Sequence, residues 1–522
     1  MEPEVETRFG RIRGREVGGI RVFRGVRFAR PPLGPLRFQP PAPPEPWTGT
    51  QEAIRSGPAA PQYALPWFGW LSAAGVSPGE DCLSLNVWTP GLDAARRPVL
   101  VWIHGGGFLV GSGASPVYNG HNLAQRGSVV VVTINYRLGA LGYVHLGRLF
   151  GDGFEECTNI GVRDQIAALE WVRDNIDRFG GDPGNVTVFG QSAGAMSIGA
   201  LLGAPRGRDL FRRAVCQSGA ADHVSGSEDA QRVAHRFIEA LGGPPASHDA
   251  LGRIPLRRIL QAQRVAMTRA FSWQKMMVLL PMVDGDVIPE QPLDAVRRGA
   301  VAHIPLLTGT TLDEWKLFRL IDQGVRALKE HELVERFGEA LGGHANAPAP
   351  EAAVREFRAV LELRGGKASA SEVWTEFQSA RVMHVPSTKL AEAQSLAGGR
   401  AHSYLFTWRP PAMRRALGAC HALDIPFVFG STQHPLALPL TGITPSAGRL
   451  SRKMQLAWIG FARDGNPGHE RLPSWPTYEP RRRPTMVLGR RCSLDHAPLE
   501  AERQLFEDWA GEPHGPAATL GS

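Results

Sequence analysis

Gly190-Gln191-Ser192-Ala193-Gly194 is a pattern that can make a serine reactive. It follows the apolar run Val186-Thr187-Val188-Phe189 and precedes Ala195-Met196-Ser197-Ile198, which is small and helix-forming. A strand, a sharp turn on serine and then a helix lift the hydroxyl out of a sheet edge toward a substrate carbonyl. Such a turn asks Ser192 for a positive φ, and side chains two residues to either side would collide; glycine stands at both places. In a chain with 60 glycines among 522 residues the pentapeptide alone carries little weight. A second motif adds to it: His104-Gly105-Gly106-Gly107-Phe108 ends another apolar run, Val99-Leu100-Val101-Trp102-Ile103. Three glycines after a strand leave backbone N–H groups unshielded, and such donors can face a developing oxyanion.

A serine hydroxyl needs an imidazole to take its proton, and the imidazole needs a carboxylate on its other nitrogen. In a strand–turn–helix hydrolase the chain order is serine, acid, histidine. Of the 16 histidines, only His104, His121 and His145 precede Ser192, so order alone leaves many candidates. Context favours His421, in the turn-like segment Gly418-Ala419-Cys420-His421-Ala422-Leu423-Asp424, which follows a strand pattern at 403–406. The acidic pair Asp313-Glu314 follows a strand pattern at 304–309. Both lie just past strand ends, where open α/β sheets place their ligands. Bland readings stand beside them: an exposed loop histidine and an acidic pair at a helix start. Cys420, beside His421, is a conceivable rival nucleophile that ranks well below Ser192.

These residues need a sheet to hold them. Leu85–Trp88, 99–103, 129–134, 186–189 and Ala214–Cys216 are short apolar runs, and residues 160–178 carry Val162, Ile166, Leu169, Val172 and Ile176 at helical spacing. The alternation from about 98 to 220 implies an α/β fold, a mostly parallel sheet with helices on both faces. Helix-like patterns at about 222–280 and 318–400 read as insertions that cap the site. The expected unit is a single domain over 6–497, with a disordered tail at 510–522 rich in Ala, Gly and Pro.

Composition excludes other classes. Hydrophobic residues make up 43% and charged residues 21%, which suits a soluble globular chain. No run of 18 apolar residues predicts a membrane span, and the first residues do not resemble a signal peptide. The net charge of +8 comes mostly from scattered arginines, six of the 58 basic residues being lysine, so a solvated surface is expected and not a nucleic-acid partner. The five cysteines, Cys82, Cys157, Cys216, Cys420 and Cys492, have no CxxC spacing. They predict no zinc site, and free thiols in a reducing, cytoplasmic compartment. Neither metal nor organic cofactor is called for, and the oligomeric state, monomer or homodimer, is not legible.

The chain resembles the type-B carboxylesterase family, which includes cholinesterases and bacterial para-nitrobenzyl esterases. The resemblance runs from about Glu6 to about Leu494 through FRGVRFARPPLGPLRF (23–38), EDCLSLNVWTP (80–90), HGGGF (104–108), NYRLGALGY (135–143), FGGDPGNVTVFGQSAGA (179–195), QSG (217–219), PMVDGDVIP (281–289), GTTLDEW (309–315), GACHALDIPFVFG (418–430) and WPTY (475–478). It implies the α/β-hydrolase fold, with Ser192 as nucleophile, Glu314 as acid and His421 as base. It implies Gly106, Gly107 and Ala193 as oxyanion-hole donors, and Ser218 and Gln191 in supporting places around them.

Three departures refine the expectation. The family usually has Glu before the nucleophile, and Gln191 here removes a charge that would suit a cationic alcohol. No cysteine stands where the family's disulfide partner of Cys82 would be, so Cys82 should be unpaired. Trp315 replaces a common Gly after the acid. Trp67 and Trp70 read as gorge or loop packing, and substrate pockets should draw on 62–75, 265–280 and 315–400. The expected activity is hydrolysis of small uncharged carboxylic esters through an acyl-enzyme. Alternatives are amide, carbamate, thioester or lactone substrates, or a non-catalytic binding or adhesion module on the same fold.

Overall fold

The apolar runs ending at Ile103, Ile134 and Gln191 lie side by side because their side chains are covered on both faces and only neighbouring strands can satisfy their backbones. The computed structural model describes residues 2–511 except 64–75, 151–153, 155, 246, 343, 367, 412 and 413. Trp67, Trp70 and most of 62–75 therefore lie outside the described residues, as does the expected tail from 512 onward. In chain order the strands are β1 (Glu4–Glu6), β2 (Arg11–Arg13), β3 (Arg15–Val17), β4 (Ile20–Arg27), β5 (Thr50–Glu52), β6 (Ser84–Thr89) and β7 (Arg97–Ile103). They continue with β8 (Val130–Ile134), β9 (Gly181–Gln191), β10 (Arg213–Gln217), β11 (Leu306–Thr311), β12 (Ala401–Phe406), β13 (Pro484–Leu488) and β14 (Ser493–His496).

Eleven of these form one sheet, ordered β14-β13-β12-β11-β10-β9-β7-β8-β6-β4-β3. From β8 across to β13 all neighbours are parallel, and antiparallel pairs close the two ends. The fold is that of an α/β hydrolase, with separate apolar cores against the two sheet faces. The chain places β8 on one side of β7 and β9 on the other, so the order reverses between β7 and β9, and a crevice opens beyond their carboxyl ends.

The register aligns the strand ends. Ile103 pairs with Gly190, and Gln217 pairs with both Gln191 and Gly309. The expected helix is observed over Ile160–Asn175 and continues as a 3-10 turn to Phe179. Its Asp164 is fully buried and receives the Arg137 backbone N–H and guanidinium at 2.6–2.9 Å. That bond ties the 135–143 segment to the helix. Arg37 and Glu80 likewise join two of the sequence motifs through a bidentate pair at 2.6 and 2.7 Å.

Some expectations shift. The strand expected at 304–309 runs over Leu306–Thr311; Ile304 and Pro305 precede it, with Pro305 accepting a bond from Ala214 N–H at 3.1 Å. Order continues past 497 into a helix, Glu500–Ala510, which holds Ala510 itself. Phe506 and Trp509 bury its inner face in the helical cluster around Phe337, Trp374 and Phe377. In the two segments expected to be helical, helices run over Ser227–Leu241 and Leu256–Ala270, then over Glu330–Leu341, Pro350–Leu363, Ala370–Ser379 and Val385–Leu396. One π-helical turn, Ala380–His384, joins the last two. Among the described residues no helix is long and apolar enough to cross a membrane.

Candidate active site

Ser192 follows β9 and caps the fully buried helix Ala193–Gly203, with φ 57° and ψ −128°. That strained backbone exists because its neighbours leave no other path. A Cβ on Gly194 would stand 2.0 Å from the Ile103 carbonyl oxygen, and one on Gly190 would stand 2.6 Å from the Gly194 carbonyl carbon. Gly105 is pressed as closely: a Cβ there would meet the Gln191 carbonyl oxygen at 2.5 Å. The glycines at 105, 190 and 194 thus bring the 104–108 loop against the serine turn.

The loop is shaped from behind by the 135–143 segment. Tyr136 Oη donates to the His104 carbonyl at 2.7 Å and its ring stacks on the His104 ring at 4.5 Å. Gly139 N–H donates to the Phe108 carbonyl at 2.7 Å. Burial lowers the His104 imidazole to about 4, so it is neutral at neutral pH and serves as a packed support. Gly106 and Gly107 take positive φ, 118° and 62°. Among the described residues nothing accepts from their N–H groups, and the Ala193 N–H, at the first position of its helix, has no partner within it.

Glu314 follows β11 and is fully buried, and His421 lies in the turn after β12 with 3% exposure. His421 Nδ1 is 2.5 Å from Glu314 Oε2. The other carboxylate oxygen accepts from Ser218 Oγ at 2.6 Å and from the Thr311 N–H at 2.7 Å. Burial alone would raise this carboxyl, but the His421 imidazole and the hydrogen bonds outweigh it and hold Glu314 below its usual range. It is therefore ionised at neutral pH. Asp313, the other half of the acidic pair, turns away. It binds Lys316 and the Ala419 N–H (2.7 Å), with Arg409 3.4 Å distant.

Gln191 is buried beside the imidazole, its Nε2 3.1 Å from His421 Nε2. Because Nδ1 donates to the carboxylate, the lone pair sits on Nε2 and the Gln191 amide donates to it. Ser192, Gln191, His421, Gly106 and Gly107 all line one cavity of about 370 Å³. The rest of its wall is Val110, Phe271, Trp273, Met276, Met277, Trp315, Phe318, Asp322, Val325, Val382 and Met383. The pockets expected from 265–280 and 315–400 thus meet here. The Trp315 and Phe318 rings pack tilted at 35° with centroids 4.4 Å apart, and Phe318 lies 5.3 Å from the His421 ring, so the departure at 315 adds an aromatic wall.

Sequence reasoning missed a second buried carboxylate, Asp424, three residues after His421. It accepts from Gln217 Nε2 at 2.8 Å and Tyr404 Oη at 2.9 Å, while Trp458 Nε1 donates to Gln217 at 3.1 Å. Burial pushes its carboxyl up to about 6. It also missed His384, whose Nδ1 lies 2.8 Å from Thr310 Oγ1; burial lowers it to about 4 despite the charge of Glu314 nearby. No sequence pattern marked either, because each takes its meaning from strands distant in sequence. Cys420 is fully buried and burial raises its thiol, so it is inert as a nucleophile. None of the five cysteines is in a disulfide, Cys82 included.

A family model described as the carboxylesterase family matches residues 1–506. The chain is 36% identical to para-nitrobenzyl esterase of Bacillus subtilis (strain 168), over 97% of this chain and 99% of that protein. It is 34% identical to phenmedipham hydrolase of Pseudarthrobacter oxydans, over 93% of this chain and 95% of that one. Among solved structures, a carboxylesterase of Geobacillus stearothermophilus superposes with a TM-score of 0.85 at 38% identity, covering 96% of this chain and 99% of that one.

Proposed function

The chain belongs to the carboxylesterase family and is a carboxylic-ester hydrolase, and from that premise we propose that it works through an acyl-enzyme on Ser192. His421 Nε2 takes the hydroxyl proton as Ser192 Oγ attacks the ester carbonyl. The carbonyl π electrons move to oxygen, and the N–H groups of Gly106, Gly107 and Ala193 hold that oxyanion. The tetrahedral centre collapses, the C–O bond to the alcohol breaks, and His421 returns the proton to the leaving alkoxide. Water then repeats the two steps on the acyl-enzyme and releases the acid. Glu314 keeps the imidazole in the tautomer with Nδ1–H and stabilises its charged form, and Ser218 fixes the carboxylate.

The observation that carries this reading is the meeting of Ser192, His421 and the glycine loop at one apolar cavity, with Glu314 buried behind the imidazole. The neutral Gln191 and the apolar wall support an ester that is uncharged where it meets Ser192. We read residues 6–497 with their two helical insertions as one catalytic unit, and five cysteines outside any disulfide support a cytoplasmic setting. Hydrolysis of short-chain p-nitrophenyl esters, and its loss in Ser192→Ala, tests the mechanism. A fluorophosphonate should label Ser192 stoichiometrically in the wild type and much more slowly in His421→Ala. Activity surviving in Ser192→Ala, or labelling elsewhere, would refute it.

A further inference from the structure

A second cavity, of about 300 Å³, shares the wall residues Met276, Met277 and Val382 with the Ser192 cavity. The partition is clasped by one side chain. Arg381, in the π-helical turn, donates to the Trp273 and Gln274 carbonyls at 2.9 and 3.2 Å and to Gln378 Oε1 at 2.8 Å. Its neighbour Val382 makes up that shared wall together with Met276 and Met277. Methionine side chains are unbranched and adaptable, so an acyl chain can pass between them at small cost.

The two cavities differ in charge. The first is walled mostly by aromatic and aliphatic groups, whereas the second carries Arg232, Arg236, Lys275 and Arg381 against Asp222 and Asp229. Both acids are already committed. Asp229 pairs with Arg232 and, at 2.5 Å, with Lys275; Asp222 lies 3.0 Å from His223. Arg236 donates to the Arg269 carbonyl, and all three bonds of Arg381 go to neutral oxygens. Among the described residues no carboxylate lies within ion-pairing distance of either guanidinium. Burial pushes Arg381 down to about 10, which marks how poorly its charge is compensated. Charged groups withdrawn from water are normally paired; Arg381 is such a group, and the half-exposed Arg236 borders the same cavity without a carboxylate partner.

We propose that this second cavity is an anion subsite that receives a carboxylate at the far end of the acyl chain, so that half-esters of dicarboxylic acids are substrates alongside uncharged esters. The inference rests on acyl transfer at Ser192, which places the acyl chain in the cavity next door. The anion sits beyond the methionine wall, so it does not conflict with an uncharged ester group beside Gln191.

Initial rates on the full chain test it. Mono-p-nitrophenyl esters of short straight-chain dicarboxylic acids are compared with p-nitrophenyl esters of fatty acids of the same length. At one or more lengths kcat/KM should favour the carboxylate-ended ester by about tenfold or more, the range of a charge-assisted hydrogen bond. The preference should shrink with added NaCl and fall to about unity in Arg236→Gln and in Arg381→Gln, with Arg381→Lys retaining part of it. Arg236 lies near the surface, so its variant decides the matter should Arg381→Gln fail to fold. An uncharged ester preferred at every length, or a preference that survives in Arg236→Gln at low salt, overturns the proposal. Hydrolysis of the uncharged esters in the same assay reports on Ser192 separately, so the two failures are distinct.

Discussion

Replacing Asp424 by Asn should stabilise the protein, and by an amount that depends on pH in a defined way. Asp424 is fully buried, accepts from Gln217 and Tyr404 through one oxygen and leaves the other, Oδ1, without a partner. Burial carries its carboxyl from 3.8 to about 6. A carboxyl raised on folding binds more protons in the folded than in the unfolded chain between those values, so stability falls as pH rises through that window. Below both values the group contributes nothing. At about pH 5 the cost is roughly 1.5 kcal/mol, and above about pH 7 it levels off near about 3 kcal/mol. Asparagine keeps the shape, and its single oxygen can accept both hydrogen bonds. Its new NH2, where it finds no acceptor, takes back about 1 kcal/mol at every pH. The pH-dependent part is therefore the test: the gain of Asp424→Asn over wild type should grow by about 1.5 kcal/mol between about pH 5 and about pH 7.5. Urea denaturation at the two pH values measures it. Parallel stability–pH curves for the two proteins, or a variant that loses more at high pH, would refute the assignment of a buried, reluctantly ionised carboxyl.

Two glycines of the site should respond oppositely to alanine. Gly194→Ala drives a Cβ to 2.0 Å from the Ile103 carbonyl and should yield little folded protein, whereas Gly107→Ala meets nothing within 4 Å and should cost only about 1 kcal/mol for its positive φ; equal unfolding midpoints would contradict this. Gln191→Glu places a carboxylate against His421 Nε2 opposite Glu314, so the acid limb of the kcat/KM profile should move to higher pH, and an unmoved limb would mean that Gln191 does not face the working nitrogen. Glu314→Gln should lower kcat on the order of 10³ to 10⁴ without unfolding the chain, since the glycine loop and the serine turn do not depend on it. Five thiols should titrate under denaturing, non-reducing conditions; three or fewer would reveal a disulfide.

The sequence by itself determined the local pieces. Strand–turn–helix around Ser192 was readable because apolar runs, flanking glycines and a helix-forming stretch are all contiguous, and the helix at 160–175 because its apolar stripe repeats within four turns. The helix at Pro445–Asp464 carried comparable local signals, Thr444 as N-cap and Gly465 as stop, yet it had no chemistry to draw attention to it. β13 and β14, at the sheet end, were missed because β13 opens on a proline beside an arginine run and β14 holds a single apolar residue. Residue types and spacing left Asp313 and Glu314 equivalent and His421 one of many histidines; family resemblance named Glu314 and His421, and the tertiary structure brings them within 2.5 Å. The parallel register of β9, β10 and β11 brings Gln191, Gln217 and Gly309 into line; beyond it Glu314 meets Ser218 and His421, while Asp313, also buried, turns to Lys316 and the Ala419 N–H. The environments of Asp424 and His384, the aromatic wall at Trp315 and Phe318, and the cationic cavity behind Met276 and Met277 were decided only there. Each depends on groups brought together from distant parts of the chain, and burial, charge compensation and hydrogen-bond pairing are properties of that assembly, not of any segment within it.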